Sequence, residues 1–164
     1  MTIEVRPIRE EDIESFRTAV DVVARERKHI ARLEAPPLEQ VRVYILRSIE
    51  KGYPQFVAVA DRQVVGWCNI PPMTREVTAH VGDLFMGLRP EWRGQGVGER
   101  LLREALGAAD AFGYLRIELG VFDSNARAAA LYRKAGFVQE GIKRRAVLID
   151  GVFHDEIIMA RLRN

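Results

Sequence analysis

The hydrophobic positions along this chain change period several times, and each change marks an element. Residues 2–6 alternate apolar and polar side chains, as a short strand does. Ile13, Phe16, Val20 and Val23 then recur at helical spacing. They follow the acidic cluster Glu10, Glu11, Asp12 and Glu14, which suits the positive end of a helix, so a helix is predicted over about 11–27. After Pro36-Pro37, the residues Leu38, Val41, Ile45 and Ile49 mark a second helix, closed by Gly52 and Pro54. Phe56–Ala60 and Val64–Ile70 read as the strands of a hairpin turning at Asp61-Arg62. One longer strand is expected from His80 to Leu88, and Pro90 stops it.

Gly94 to Gly98 forms a glycine-rich turn, after which Val97, Leu101, Ala105, Ala108 and Phe112 give a helix ending near Gly113. Leu115, Ile117, Leu119 and Val121 alternate with Arg116, Glu118 and Gly120, a strand with one apolar face. A helix over about 125–135 is capped by Gly136. The tail is a hairpin: Ile142 to Ile149, a turn at Asp150-Gly151, then Val152 to Leu162. Strands and helices mix without strict alternation. The expected class is α/β (α+β), a mixed sheet with helices on both faces.

Composition narrows the class without naming a chemistry. At roughly 150 residues per domain, 164 residues predict a single domain over 1–164. Twenty-five Lys+Arg against 23 Asp+Glu leave +2, too balanced for bulk attraction to nucleic acid or a membrane surface. The N-terminus has no signal layout, and no apolar run approaches the ~20 residues of a membrane span, so a cytoplasmic protein is expected. One cysteine, Cys68, closes no internal disulfide, and with three scattered histidines it makes no metal-ligand set. No metal is expected. Cys68 reads as a small buried hydrophobe, and His29, His80 and His154 read as structural or surface residues.

The informative segment is the strand running through Met86-Gly87-Leu88 into Arg93-Gly94-Gln95-Gly96-Val97-Gly98-Glu99. Glycines let backbone approach a ligand, and the free N–H groups of a first helical turn point together with the helix dipole behind them. That is an anion site fit for a pyrophosphate, to which Arg93 could add a cation. The spacing G-x-G-x-G is neither the Rossmann fingerprint nor the Walker pattern. A ligand-free strand–helix turn is the competing reading of the glycines alone.

This segment resembles motif A of the GNAT superfamily of acetyl-CoA-dependent N-acetyltransferases, Q/R-x-x-G-x-G/A. A second stretch, Val121 to Phe137 with Asn125, Leu131-Tyr132 and Gly136-Phe137, resembles motif B, in the superfamily's order and separation. Within it, the His80-Val81-Gly82-Asp83 opening and the Asp150-Gly151 hairpin ending in Met159-Ala160-Arg161-Leu162 look most like bacterial enzymes acting on amino acids and related small amines.

The resemblance implies a GNAT fold, with a central, mostly antiparallel mixed sheet in which two parallel strands, His80–Leu88 and Leu115–Phe122, splay apart. It implies acetyl-CoA as cosubstrate. The backbone of Met86, Gly87 and Leu88 would pair with the pantetheine arm, and the amides of Gly94, Gln95, Gly96, Val97, Gly98 and Glu99 would hold the pyrophosphate. Asn125 would meet coenzyme A as well as cap its helix. Tyr132 would protonate the departing thiolate, whereas without motif B it would read as a half-buried aromatic on the inward face of its helix. An ammonium must lose a proton before it attacks, so a base is required. Ribosomal-protein acetyltransferases of the superfamily tend to carry it five residues before the motif B asparagine, where this chain has Gly120. Glu118, on the same strand face as Gly120, and Asp83 are the carboxylate candidates, Glu118 the better placed.

Residues 10–51, which shape the acceptor pocket in the superfamily, carry nine acids and eight bases, without the acidic excess a polyamine enzyme should show. Lys143-Arg144-Arg145 read as a solvated face that could also favour an acidic substrate or the ribose phosphate. The leading reading is acetyl transfer to a small primary amine, with no nucleic-acid or membrane partner; a homodimer is compatible with it. A protein N-terminal or lysine acetyltransferase, and a coenzyme A-binding module without turnover, are the competing readings.

Overall fold

In the computed structural model, which describes residues 2–164, the elements follow in the order β1 (Glu4–Pro7), α1 (Ile13–Arg25), α2 (Leu38–Lys51), β2 (Gln55–Ala60), β3 (Gln63–Asn69), β4 (Val81–Asp83), β5 (Phe85–Leu88), α3 (Val97–Phe112), β6 (Arg116–Phe122), α4 (Ala126–Lys134), β7 (Val138–Ile149) and β8 (Val152–Leu162). Both expected hairpins turn where the sequence places them. Asp61 and Arg62 have φ of 48° and 63°, and Asp150 and Gly151 have φ of 50° and 76°, the left-handed pairs that match strand twist. Asn125 caps α4 by accepting from the Ala128 amide at 3.3 Å.

The strand expected from His80 to Leu88 is two strands. β4 runs parallel to β6, pairing Val81 with Arg116 and Asp83 with Glu118. β5 runs antiparallel to β3, pairing Met86 with Cys68 and Leu88 with Gly66. Leu84 is the break: its side chain is buried, and its amide donates to the Glu118 carbonyl at 2.9 Å, beyond which β5 and β6 part. The apolar content of 80–88 runs straight through this change of partner, which is why the sequence shows one strand. The expected mixed sheet therefore resolves into two four-stranded sheets, β1-β2-β3-β5 and β4-β6-β8-β7, antiparallel except for β4 with β6.

Helices cover both faces of the first sheet. Ile13, Phe16, Val20 and Val23 of α1 pack on Val57, Val64 and Trp67. Leu101, Leu102, Ala105 and Ala109 of α3 pack on the opposite face against Ala58, Ala60, Val65 and Cys68, and share that core with Tyr132 and Phe137. Alternation along β2 and β3 sends successive side chains to the two cores. Cys68 is wholly buried, and burial pushes its thiol far above the ordinary range, so it is an inert core residue. A buried bidentate pair, Arg6 to Asp12 at 2.7 and 2.9 Å, fixes the start of α1 to β1.

Candidate active site

Between β5 and β6 the two sheets open into a cleft of about 1800 Å³. That exceeds the roughly 300–1,000 Å³ of a single small-ligand pocket and leaves room for two substrates side by side. On one flank lies the glycine loop. Gly94 and Gly96 have φ of 74° and 79°, which a side chain would strain. The first bond of α3 is Arg100 N–H to the Gly96 carbonyl at 3.2 Å. The amides of Gly94, Gln95 and Gly96 have no protein acceptor among the described residues, and those of Val97, Gly98 and Glu99 precede the helical ladder. Gln95 Nε2 donates to the Glu91 carbonyl at 2.9 Å, and Lys134 offsets the Glu99 carboxylate at 2.9 Å. The result is a run of unpaired donors at the head of a helix, chemically matched to a pyrophosphate.

Arg93 does not join it. Its guanidinium is held by both carboxylate oxygens of Glu26, at 2.6 and 2.9 Å, and donates to the Leu88 carbonyl. It ties the end of α1 to β5. Among the described residues, Arg127 on α4 stands at the loop without an ion-pair partner, and its Nη2 would lie 3.4 Å from a Cβ at Gly94. Sequence reasoning passed over it because an exposed arginine on a short helix carries no signal of its own.

The cleft-facing edge of β5 also differs from expectation. Arg89 N–H donates to Val65, so by alternation Gly87 turns its backbone toward β3, and Met86 and Leu88 turn theirs to the open edge. The Leu88 carbonyl is already taken by Arg93. Gly87 matters for space instead: a Cβ there would meet the Trp67 ring at 2.4 Å.

Tyr132 lines the cleft from α4, 7% exposed, its ring edge-on to Phe137 at 5.8 Å. Its hydroxyl has no protein partner among the described residues, and burial pushes the phenol above its ordinary value. Across the cleft Asp83 and Glu118 are register partners, but their surroundings differ. Glu118 accepts from Arg116 Nε at 2.9 Å, while Arg116 Nη1 donates to Glu140 at 2.7 Å. Asp83 has no cation within ion-pair distance among the described residues; burial, then Glu118 and Glu156, push its carboxyl up to about 6. Of the two, Asp83 is poised to exchange a proton near neutrality, the reverse of the order their strand positions suggest.

Three polar residues of the wall escaped the sequence reading. Asn69 is 6% exposed, offers Nδ2 to the Tyr44 hydroxyl at 3.4 Å, and leaves Oδ1 without a partner. Burial, with a contribution from Asp83, pushes the Tyr44 phenol up. The third is Glu156 on β8. An asparagine closing an otherwise apolar strand was the available signal for the first. His29, read as structural or surface, also lines the cleft; burial and Arg93 hold its imidazole below the ordinary value and hence neutral.

The sequence profile of the Acetyltransferase (GNAT) family matches residues 16–137. The chain is 36% identical over 113 residues to the L-amino acid N-acetyltransferase AaaT of Escherichia coli, covering 68% of this chain and 70% of that protein. It is 35% identical over 88 residues to the N-alpha-acetyltransferase RimI of Mycobacterium tuberculosis, covering 54% of each. The crystal structure of a GNAT-family acetyltransferase from Streptococcus pneumoniae superposes with a TM-score of 0.92 at 26% identity, over 99% of this chain and 100% of that one. The chain belongs to the GNAT acetyltransferase family. Its reaction is acetyl-CoA-dependent N-acetylation of an amine.

Proposed function

We propose that the protein acetylates the primary amine of a small molecule, an amino acid or an amine-bearing antimetabolite, by direct attack in a ternary complex. One observation carries the small-acceptor reading: the segment between α1 and α2 is pinned over the acceptor side. Asp21 accepts from the Ala35 amide at 2.9 Å, Arg17 donates to the Pro36 carbonyl at 2.8 Å, and Arg27 clasps Asp150 at the hairpin tip. An acceptor side covered by this segment and lined by Tyr44 and Asn69 suits a small acceptor better than a polypeptide. The amino-acid specificity in AaaT's name supports the same reading. A cytoplasmic setting goes with it, and no helix among the described residues is long and apolar enough to cross a membrane.

In this mechanism Asp83 takes a proton from the acceptor ammonium. The freed amine attacks the thioester carbonyl carbon, the C–S bond breaks, the Tyr132 hydroxyl delivers its proton to the departing sulfur, and the proton that the new amide nitrogen sheds returns through solvent to the tyrosinate. The loop amides and Arg127 hold the phosphates, and Asn125 orders the start of α4 beneath Tyr132.

A thiol-release assay over free amines and N-terminal peptides tests the reading. Turnover with amino acids or other small amines and none with peptides is expected. Turnover with peptides alone would establish the protein N-terminal activity that RimI's name carries. Acetyl-CoA binding without turnover of any amine would leave a non-catalytic binding module. Arg127→Ala should raise the KM for acetyl-CoA roughly three- to tenfold at low salt, less at high salt, with the amine KM unchanged, as fits one exposed cation on a phosphate.

A further inference from the structure

Gly120 leaves a gap in the cleft wall, and the carboxylate of Glu156 fills it. Glu156 stands on β8 opposite Phe122 of β6 and Lys143 of β7. Its side chain leans along β6, so that a Cβ built on Gly120 would lie 2.1 Å from Oε1 and 2.6 Å from Cδ. Any side chain at 120 would therefore displace this carboxylate. Gly120 and Glu156 both line the cleft, on the wall that carries Asp83 and Glu118.

We propose that Glu156 holds and selects the acceptor's ammonium group, and that position 120 is glycine so that this carboxylate can reach across β6 into the cleft. The inference rests on the small-amine reading above and adds a substrate class to it: protonated aliphatic amines, in preference to arylamines and hydrazides that are neutral at pH 7.

The charge pattern of the wall supports this. From β4 comes Asp83; from β6, Glu118 and Arg116; from β7, Lys143; from β8, Glu156 and, two residues before it, His154, stacked on Phe122 at 5.3 Å. Tyr44 of α2 faces Asp83 from the other side. Arg116 is committed to Glu118 and Glu140. Lys143 is 66% exposed and sits 3.8 Å from Glu156, a loose pair that a substrate cation can replace. Arg116 and Lys143 are thus two cations among four carboxylates, Asp83, Glu118, Glu140 and Glu156, so the wall keeps negative charge to meet an ammonium. Asp83 feels the charges of both Glu118 and Glu156, so an ammonium entering beside them meets a negative field. Glu156 holds the amine and Asp83 takes its proton.

Steady-state kinetics of the full chain at saturating acetyl-CoA read this out. Glu156→Gln should raise the KM for an aliphatic amine about tenfold or more, as loss of a charge-assisted hydrogen bond does. The acetyl-CoA KM should stay within about twofold, and arylamine kinetics should barely move. The acid limb of kcat/KM should shift to lower pH, because one of the charges raising Asp83 is gone. Gly120→Ala should act like Glu156→Gln, since its methyl group pushes aside only the flexible end of a side chain and spares the fold. The double variant Gly120→Asp with Glu156→Ala returns a carboxylate to the same corner and should bring the amine KM back to within about threefold of wild type. An active wild type whose amine KM and acid limb ignore Glu156→Gln, or a double variant no better than Glu156→Ala, would overturn the inference and leave the small-amine activity intact. A wild type that acetylates no free amine would overturn both.

Discussion

Tyr132→Phe is expected to lower kcat about 10²-fold or more while acetyl-CoA affinity stays within about twofold, the range set by losing a positioned proton donor. The substitution removes one oxygen and keeps the ring that packs against Phe137 and shares the α3 core. Thermal stability should therefore barely change, and lost turnover cannot be put down to lost fold. Burial holds the phenol above its ordinary value, so Tyr132 stays protonated throughout the neutral range. It adds no descending limb to the pH profile below about pH 10. A buried phenol is a weaker acid than a thiol, whose reference value is about 8.5. The proton transfer is not driven by acidity, so placement at the breaking C–S bond must supply the benefit. Unchanged kcat in the phenylalanine variant would remove Tyr132 from the mechanism.

Asp83→Asn is expected to reduce kcat/KM about 10²-fold at pH 7 and to abolish the acid limb of the profile. The base form is the active one, so wild-type activity should rise with pH through about 6 and level off above it. Stability should move the other way. The folded-state value lies above the ordinary 3.8, so the folded protein favours protonated Asp83. That contribution is complete below about pH 4 and is lost as pH rises through about 6. The asparagine variant never ionises there, so at pH 7 it should be more stable than wild type by about 1 kcal/mol, an amount discounted for the partial exposure of the carboxyl. At pH 4 the two should unfold alike. Retained activity with a retained acid limb would return the base role to Glu118 or to water.

Local signals made most of this architecture legible. Helical spacing located α1, α2 and α3 to within about two residues, and turn residues fixed both hairpins, because these elements answer to neighbours in sequence. The glycine loop and Tyr132 were visible for the same reason, lying inside contiguous motifs. What the sequence hid depends on neighbours in space. Leu84 looks like any strand residue until β4 and β5 are seen to pair with different partners. Arg93 looks available to a phosphate until Glu26, 67 positions away, takes it. Glu118 looks the better-placed carboxylate until Arg116 is seen to pair with it and not with Asp83. Glu156 became visible only as the occupant of the space at Gly120, from another strand.

The break at Leu84 also divides labour along the chain. On the reading proposed above, β5 and the glycine loop directly after the break hold the acetyl donor, while Asp83 before it, the segment between α1 and α2, and the distant β7–β8 hairpin line the acceptor side. Side-chain clasps hold this side together: Arg27–Asp150 ties the segment after α1 to the hairpin tip, and Glu26–Arg93 ties the end of α1 to the residue before the glycine loop. Inheritance can therefore rewrite one half without disturbing the other: a lineage could acquire a new acceptor through changes in these clasped segments while its grip on the acetyl donor passes unaltered to its descendants.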